Sequence, residues 1–554
     1  ANRGMINTPK LSGKPGQAPP SLHPLSWRLS TRDPEPYRLT IDHCHEQEAA
    51  MTTPDHDDAV PALRVKQWLP EWEQVNFDPQ QNQAKPEPHF YVFSLSAARL
   101  REISAIYRRD ATDVTARKED LGIQRRHDPE RSAEIRRYVV EGYPRSGLSD
   151  AQRENPANDG LRKPGWLPTA VVVNILRAGD ERNGRTIDAE HVITVTDDPT
   201  ARFAALNLPS SVDEALPPIE VIDGQHRLFA FNDDDPSVAD FELPVVAFHG
   251  LDISWQAYLF WTINIKPKKI NASLAFDLYP LLREQDWLDS GDRVLVYRES
   301  RAQELTEALW ATPESPWYRR INMLGGPRKE SGPVTQAAFV RSLIASMVKP
   351  WKPSGRQSLG GVFGGTPNQN DGLAWSRVQQ AAFLITAWRL LAEAVKSTRV
   401  EWAEGVREVQ AQLDGISGDP AFSGSFSLLA TDQGVRGFQH VINDLSYLRA
   451  SELGLAAWRD VGDRADISPE SISEVARMMP SEILDFLKDI AEGLATYDWR
   501  TSSFPGLDES ERLAKAALRG SGGYKELRQQ LVAHLTEAPN GDVASAAATL
   551  QQWA

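Results

Sequence analysis

Five consecutive residues, Asp223-Gly224-Gln225-His226-Arg227, set a carboxylate, a bare backbone, an amide, an imidazole and a guanidinium side by side. The β-branched run Ile219-Glu220-Val221-Ile222 precedes them, and Leu228, Phe229 and Phe231 follow at a spacing that suits a helix. The reading is a strand, a tight turn and a helix start. Gly224 lets backbone N–H groups approach a ligand closely, and the first turn of the following helix favours an anion. Arg227 adds a planar fork that matches phosphate oxygens. The chemistry these residues suggest is the cradling of a phosphate. The same spacing also admits a quieter arrangement, with Arg227 as a solvated helix residue or as the ion-pair partner of Asp223. A second block, Ile263-Asn264-Ile265-Lys266-Pro267-Lys268-Lys269-Ile270-Asn271, carries three lysines and two asparagines. Its lysines, Lys266 first, are suited to neutralising phosphates, and Asn264 to orienting a phosphate-bound water or metal. The plain alternative is a solvated basic loop.

The elements that must hold these residues alternate in type. His89 to Leu95 reads as a strand, with Ser96 as cap of a helix from Ala97 to Arg108. Gln124-Arg125 stands just ahead of Asp128-Pro129, a cap and a first-turn proline opening a helix to about Val140. Trp166 to Ile175 reads as a buried strand, His191 to Thr196 and Leu243 to Phe248 as further strands, and Ser254 to Thr262 as a helix. This order predicts an α/β or α+β domain from about 85 to 280. From 281 onward the chain reads as helical, with segments at 281–309, 337–348, 373–396, 400–413, 434–448, 471–479, 482–494 and 526–535. Within it, Trp375, Val378, Phe383, Ile385 and Trp388 are expected in the core. The glycine-rich stretch 360–367 lacks the Gly-Lys-Ser/Thr ending of a phosphate loop and is expected to be a flexible surface loop, while Gly520 to Gly523 suggests a hinge. Three parts result: a tail over 1–62, an α+β domain over 63–280 and a helical region over 281–554.

Asp223 to Arg227 spells DGQHR, and the chain resembles the DGQHR-domain proteins, among them the DndB proteins of DNA phosphorothioation clusters and the DpdB proteins of 7-deazaguanine DNA-modification clusters. It is also similar, more distantly, to the GmrS-type restriction nucleases and to the ParB-like nucleotide-binding domains. Four ordered blocks carry the resemblance: Gln124-Arg125 before a helix, the strand at Val171, the DGQHR motif, and Ile263 to Lys266. It implies a ParB-like domain in which Gly224 and Arg227 hold the phosphates of ATP or another nucleoside triphosphate. Asp223 would hold Mg2+, Gln225 or His226 would orient water, and Gln124, Arg125, Asn264 and Lys266 would complete the pocket. A DpdB-like role implies an ATPase that assists a transglycosylase-like partner in placing 7-deazaguanine in DNA, within phage defence. A DndB-like role implies a DNA-binding transcriptional regulator of a phosphorothioation cluster. A GmrS-like role implies an NTP-dependent DNA nuclease, for which the 11 histidines provide no His-Asn-His constellation.

At 554 residues two or three domains are expected. With 61 basic residues against 76 acidic ones and a net charge of −15, the chain is unsuited to coating nucleic acid non-specifically, so DNA contact should be localised or supplied by a partner. The single cysteine, Cys44, excludes an internal disulfide, and His43 and His45 beside it lack the further ligands a metal site needs. No stretch reaches the ~18 apolar residues of a membrane span, which points to the cytoplasm. A homo-oligomer is left open.

Overall fold

The computed structural model describes residues 59–553 apart from 82, 107–127, 183, 198–200, 232–237, 239, 266–270, 283–287, 289–293, 327–331, 353–358, 366–371, 412–418, 460–466 and 521. Residues 1–58 of the expected tail, the Cys44 region, Gln124, Arg125 and Lys266 therefore lie outside the described residues, while residues 59–62, also expected in the tail, instead open the first strand of the sheet, where they pair with a neighbouring strand.

The architecture is mixed α+β, as expected. Its N-terminal part is an eight-stranded sheet built from β1 (Ala59–Lys66), β2 (His89–Ser96), β3 (Ser104–Ala105), β4 (Val171–Ile175), β7 (Thr194–Asp197), β8 (Phe203–Asn207), β9 (Ile219–Asp223) and β10 (Glu242–His249). Between β4 and β7, β5 (Glu181–Arg182) and β6 (Arg185–Thr186) form a separate small hairpin. The spatial order is β3-β9-β4-β10-β2-β1-β8-β7, antiparallel except for the β3–β9 and β4–β10 pairs. The central strands follow from their sequences. β4 is nearly all β-branched and buried on both faces, and β10 alternates buried Leu243, Val245 and Ala247 with less buried neighbours.

Four helices frame the sheet. Ser96 accepts the Arg99 N–H and caps α1 (Ala97–Glu102), while the Asp128 carboxylate accepts from Glu130 and Arg131 and caps α2 (Pro129–Glu141). The one-turn α3 (Gln225–Leu228) opens directly from β9, and α4 (Ile253–Ile265) packs against the same strand. Helix α1 is shorter than the sequence suggests. Its continuation peels away as Ser104–Ala105 to pair with β9, where a sheet edge satisfies the backbone instead.

The C-terminal part is largely helical, and its core is separate from that of the sheet. Of the helical segment expected over 281–309, residues 281–282 lie in a short helix, Tyr279–Leu282, and 295–309 in α5 (Leu295–Ala311), while 283–287 and 289–293 lie outside the described residues. Helix α6 (Gln336–Ala345) is capped by Thr335, and α7 (Arg377–Ser397) buries Val378, Phe383, Ile385 and Trp388, with Trp375 buried just ahead of it. Helices α8 (Asp432–Leu448), α9 (Ser481–Ala495) and α10 (Gly523–Leu535) complete the main packing. The glycine-rich stretch corrects the expectation of a surface loop: Gly360 to Gly365 are buried. A β-carbon on Gly360, Gly361 or Gly364 would strike the backbone of Trp351, Met347 or Lys349, so these glycines allow two chain segments to touch. Gly520 and Gly522 have open space around them, whereas Gly523 packs against the Leu518 backbone. Among the described residues no helix is long and apolar enough to cross a membrane.

Candidate functional site

The motif sits where the sequence puts it, at the end of a strand, one place in from the sheet edge. β9 leaves the sheet at Asp223, opposite Val172 and beside a register shift between Val172 and Val173 in β4. Such irregularities re-aim side chains at a strand end. Gly224 follows with φ +100°, in the left-handed region that glycine adopts without strain. An added β-carbon there would lie 2.9 Å from Arg227 Nη2 and 3.2 Å from the Val171 Cα. The turn therefore needs glycine for its backbone and for the space the guanidinium occupies.

The strand is held in place by a buried polar network that the sequence reading did not single out. Glu220, inside β9, is 3 % exposed. Its carboxylate accepts from Asn174 Nδ2 at 2.9 Å, Gln256 Nε2 at 2.8 Å, Arg182 Nε at 2.6 Å and Arg182 Nη2 at 3.0 Å. Asn174 Oδ1 and Gln256 Nε2 then bind the Leu251 N–H and carbonyl. A charge at this depth requires such partners. The signal was present in the sequence as an acidic residue between apolar neighbours in a strand, but its partners come from 46, 38 and 36 residues away.

Helix α4 carries this positioning from the network to the motif. Gln256 reaches Glu220, and Asn264 Nδ2 donates to Asp223 Oδ1 at 3.2 Å. Eight helical residues rise about 12 Å, and the three strand residues from 220 to 223 cover about 10 Å. Helix and strand thus run side by side with two contacts in register. Asn264 also donates to the Phe260 carbonyl at 2.9 Å, which orients its amide.

Five motif residues, Asp223 to Arg227, line one cavity of about 70 Å3 together with Arg131, Ile135, Phe260 and Asn264. That space suits an oxyanion or a few waters rather than a whole nucleotide. Arg227 Nη2 donates to Asp223 Oδ2 and to the Ala170 carbonyl, each at 3.0 Å. The ion pair that the spacing allowed is therefore formed, and the guanidinium also lines the cavity. Arg227 Nε and Gln225 Oε1 are buried without a hydrogen-bond partner among the described residues. Unpaired buried polar atoms at one cavity mark where a ligand or water completes the structure.

His226 has a different placement. Its ring is buried, Nε2 accepts the Asp128 N–H at 3.4 Å, and its carbonyl accepts from Ser132 Oγ at 3.1 Å. It joins the start of α2 to the motif and so delivers Arg131, which sequence reasoning missed, to the cavity wall. Asp223 gives both carboxylate oxygens to Arg227 and Asn264, and no group of three metal-ligating side chains occurs among the described residues. This donor set does not fit a magnesium ion held by the protein alone, because a guanidinium already occupies the carboxylate.

A larger cavity, of about 460 Å3, lies on another side of α4, where Trp255 and Tyr258 join Trp68, Trp72 and Phe77. It offers aromatic walls and little free charge. Its acid, Glu87, is engaged by Arg177, His89 and His249. Size favours this cavity, but the donors suited to a phosphate converge on the smaller one.

The comparison with known families bears directly on this segment. Residues 81–281 match the DndB family, described as DNA-sulfur modification-associated. The match spans seven of the eight sheet strands, all but β1, together with the motif and α4, and over this stretch the protein is DndB-like. It supports a component of a DNA-modification system. No curated protein and no solved structure matches.

Proposed function

We propose that this DndB-like protein binds a nucleoside triphosphate through the motif cavity and hydrolyses it in the service of DNA modification. The observation that supports the reading most is the convergence of Gln225, Arg227 and Asn264 on one small cavity, with Arg227 Nε and Gln225 Oε1 buried and unpaired. Phosphoryl transfer needs little covalent chemistry from the protein. It needs positive donors on the phosphate and a group that orients the attacking water. In this reading Arg227 exchanges its Asp223 contact for a terminal phosphate oxygen, and Arg131 supports it from the wall. Gln225 presents its free amide oxygen to the water. Asp223 and Asn264 hold the guanidinium ready until the anion arrives, and His226 positions rather than reacts. Magnesium would arrive with the nucleotide phosphates.

The test is phosphate release from ATP and magnesium by the full chain, against Arg227→Ala and Gln225→Ala. Arg227→Ala should abolish release. Wild-type activity in Arg227→Ala, or none in the wild type with any of the four common ribonucleotides, refutes the reading.

A second reading is favoured by the family description itself, which names sulfur modification rather than 7-deazaguanine exchange. The protein would then regulate a phosphorothioation system by binding DNA. Gel shifts at rising salt would show it, since phosphate contacts weaken steeply with salt.

A further inference from the structure

The chain carries a net charge of −15, yet one cavity in the helical part gathers Lys349, Lys525 and Arg528 around a single carboxylate. It measures about 450 Å3, and its titratable side chains come from three segments: Lys349 just beyond α6, His440 and Asp444 on α8, and Tyr524, Lys525 and Arg528 on α10. Asp444 is the one acid lining it, and its oxygens are occupied. Oδ2 accepts from Arg528 Nε and Nη2, both at 2.7 Å, and Oδ1 accepts from Asn443 Nδ2 at 3.0 Å. Arg528 is thereby neutralised, while no ion pair or side-chain hydrogen bond engages Lys349 or Lys525 among the described residues. Lys349 is half-buried. His440 lies nearly parallel to the Tyr524 ring, at 19° and 6.3 Å, with Nε2 buried and without a hydrogen-bond partner.

A half-buried ammonium without a counter-charge is costly, and a bound anion offsets that cost. Burial accordingly holds the Lys349 ammonium below its ordinary pKa and pushes the His440 imidazole down to about 4. In both groups burial outweighs the opposing pull of Asp444, the one carboxylate beside them, whose oxygens are already taken by Arg528 and Asn443.

We propose that this cavity is a second anion site, separate from the motif, which binds the phosphate groups of a nucleotide or of a nucleic-acid strand through Lys349, Lys525 and the unpaired edge of His440. Its volume exceeds that of one oxyanion, so a ligand with consecutive phosphates fits it best. The proposal does not rest on the nucleotide reading of the motif, because none of these residues touches Asp223 to Arg227.

The experiment is calorimetric titration of the full chain with sodium pyrophosphate in low salt at neutral pH, for the wild type, Lys349→Met, Lys525→Ala and Arg227→Ala. Loss of one direct cation should weaken binding about tenfold in Lys349→Met and severalfold in Lys525→Ala, with a site of unchanged affinity remaining in Arg227→Ala. Lys525 is exposed, so Lys525→Ala keeps the test valid if Lys349→Met fails to fold. Wild-type affinity in both lysine variants, or loss of all binding in Arg227→Ala, overturns the proposal. Displacement of pyrophosphate by magnesium-free ATP identifies a nucleotide, and displacement by a short duplex identifies a strand. Displacement by neither overturns the proposal that the site takes the phosphates of a nucleotide or of a nucleic-acid strand.

Discussion

Replacing Asp223 by asparagine separates two roles for Arg227. In the ligand-free protein the guanidinium leans on Asp223 at 3.0 Å. A phosphate oxygen taken up by the same group would lie roughly 5 Å from that carboxylate. At an effective dielectric of about 20 the repulsion is then about 3 kcal/mol before screening. The two side chains are 22 % and 20 % exposed, so solvent and salt reduce this to about 1 kcal/mol. Asp223→Asn should therefore bind a magnesium-free nucleoside triphosphate about fivefold more tightly, with a stability loss of about 1 kcal/mol or less from the broken pair. Arg227→Ala should bind at least about tenfold more weakly, and the double variant should resemble Arg227→Ala. Fluorescence anisotropy with a labelled nucleotide, run beside thermal melts, measures both quantities. If both single variants keep wild-type affinity while melting earlier, Arg227 is only a structural partner and the phosphate argument fails.

Other perturbations follow from the same geometry. Glu220→Ala should lower stability by about 3–5 kcal/mol in denaturant titrations, because it removes the shared acceptor of Asn174, Arg182 and Gln256; a loss below about 1 kcal/mol would show that the network is dispensable. Gly224→Ala should cost more than about 1 kcal/mol from the left-handed backbone and weaken anion binding by displacing Arg227, so unchanged binding would contradict the tight fit at this turn. Gly361→Ala should destabilise the helical part, which a circular-dichroism melt would detect, because its β-carbon meets the Met347 carbonyl. His440 is neutral in the folded chain down to about pH 4, against an ordinary value of 6.5. The unfolded chain takes up that proton first, so stability should fall as pH drops from 6.5 towards 4. His440→Gln should flatten that slope, and an unaltered slope would place the titration elsewhere.

Much of this was legible in the sequence for local reasons. Caps at Ser96 and Asp128 mark helix starts because a side-chain oxygen there answers a backbone N–H within three residues. DGQHR revealed its turn because only glycine fits position 224. What escaped depended on distant partners. Glu220 reads as one polar residue in an apolar strand until Asn174, Arg182 and Gln256 surround it. Composition suggests a mobile loop at Gly360 to Gly365, and packing against Met347 and Trp351 makes it core. Helix α1 stops early because the edge of β9 competes for its last residues. Lys349 and Lys525 are 176 positions apart, and no local pattern could join them.

The network around Glu220 has a practical consequence for anyone transplanting or redesigning this pocket. Strand side chains alternate between faces, so sliding β9 by a single residue would send Asp223 to the opposite side of the sheet. Glu220 acts as the locating pin against that slip, and Asn174, Arg182 and Gln256 are the holes it enters. A graft that carried only the five motif letters would leave their aim undetermined. The smallest portable unit is the motif together with those four side chains and the helix that ends at Asn264.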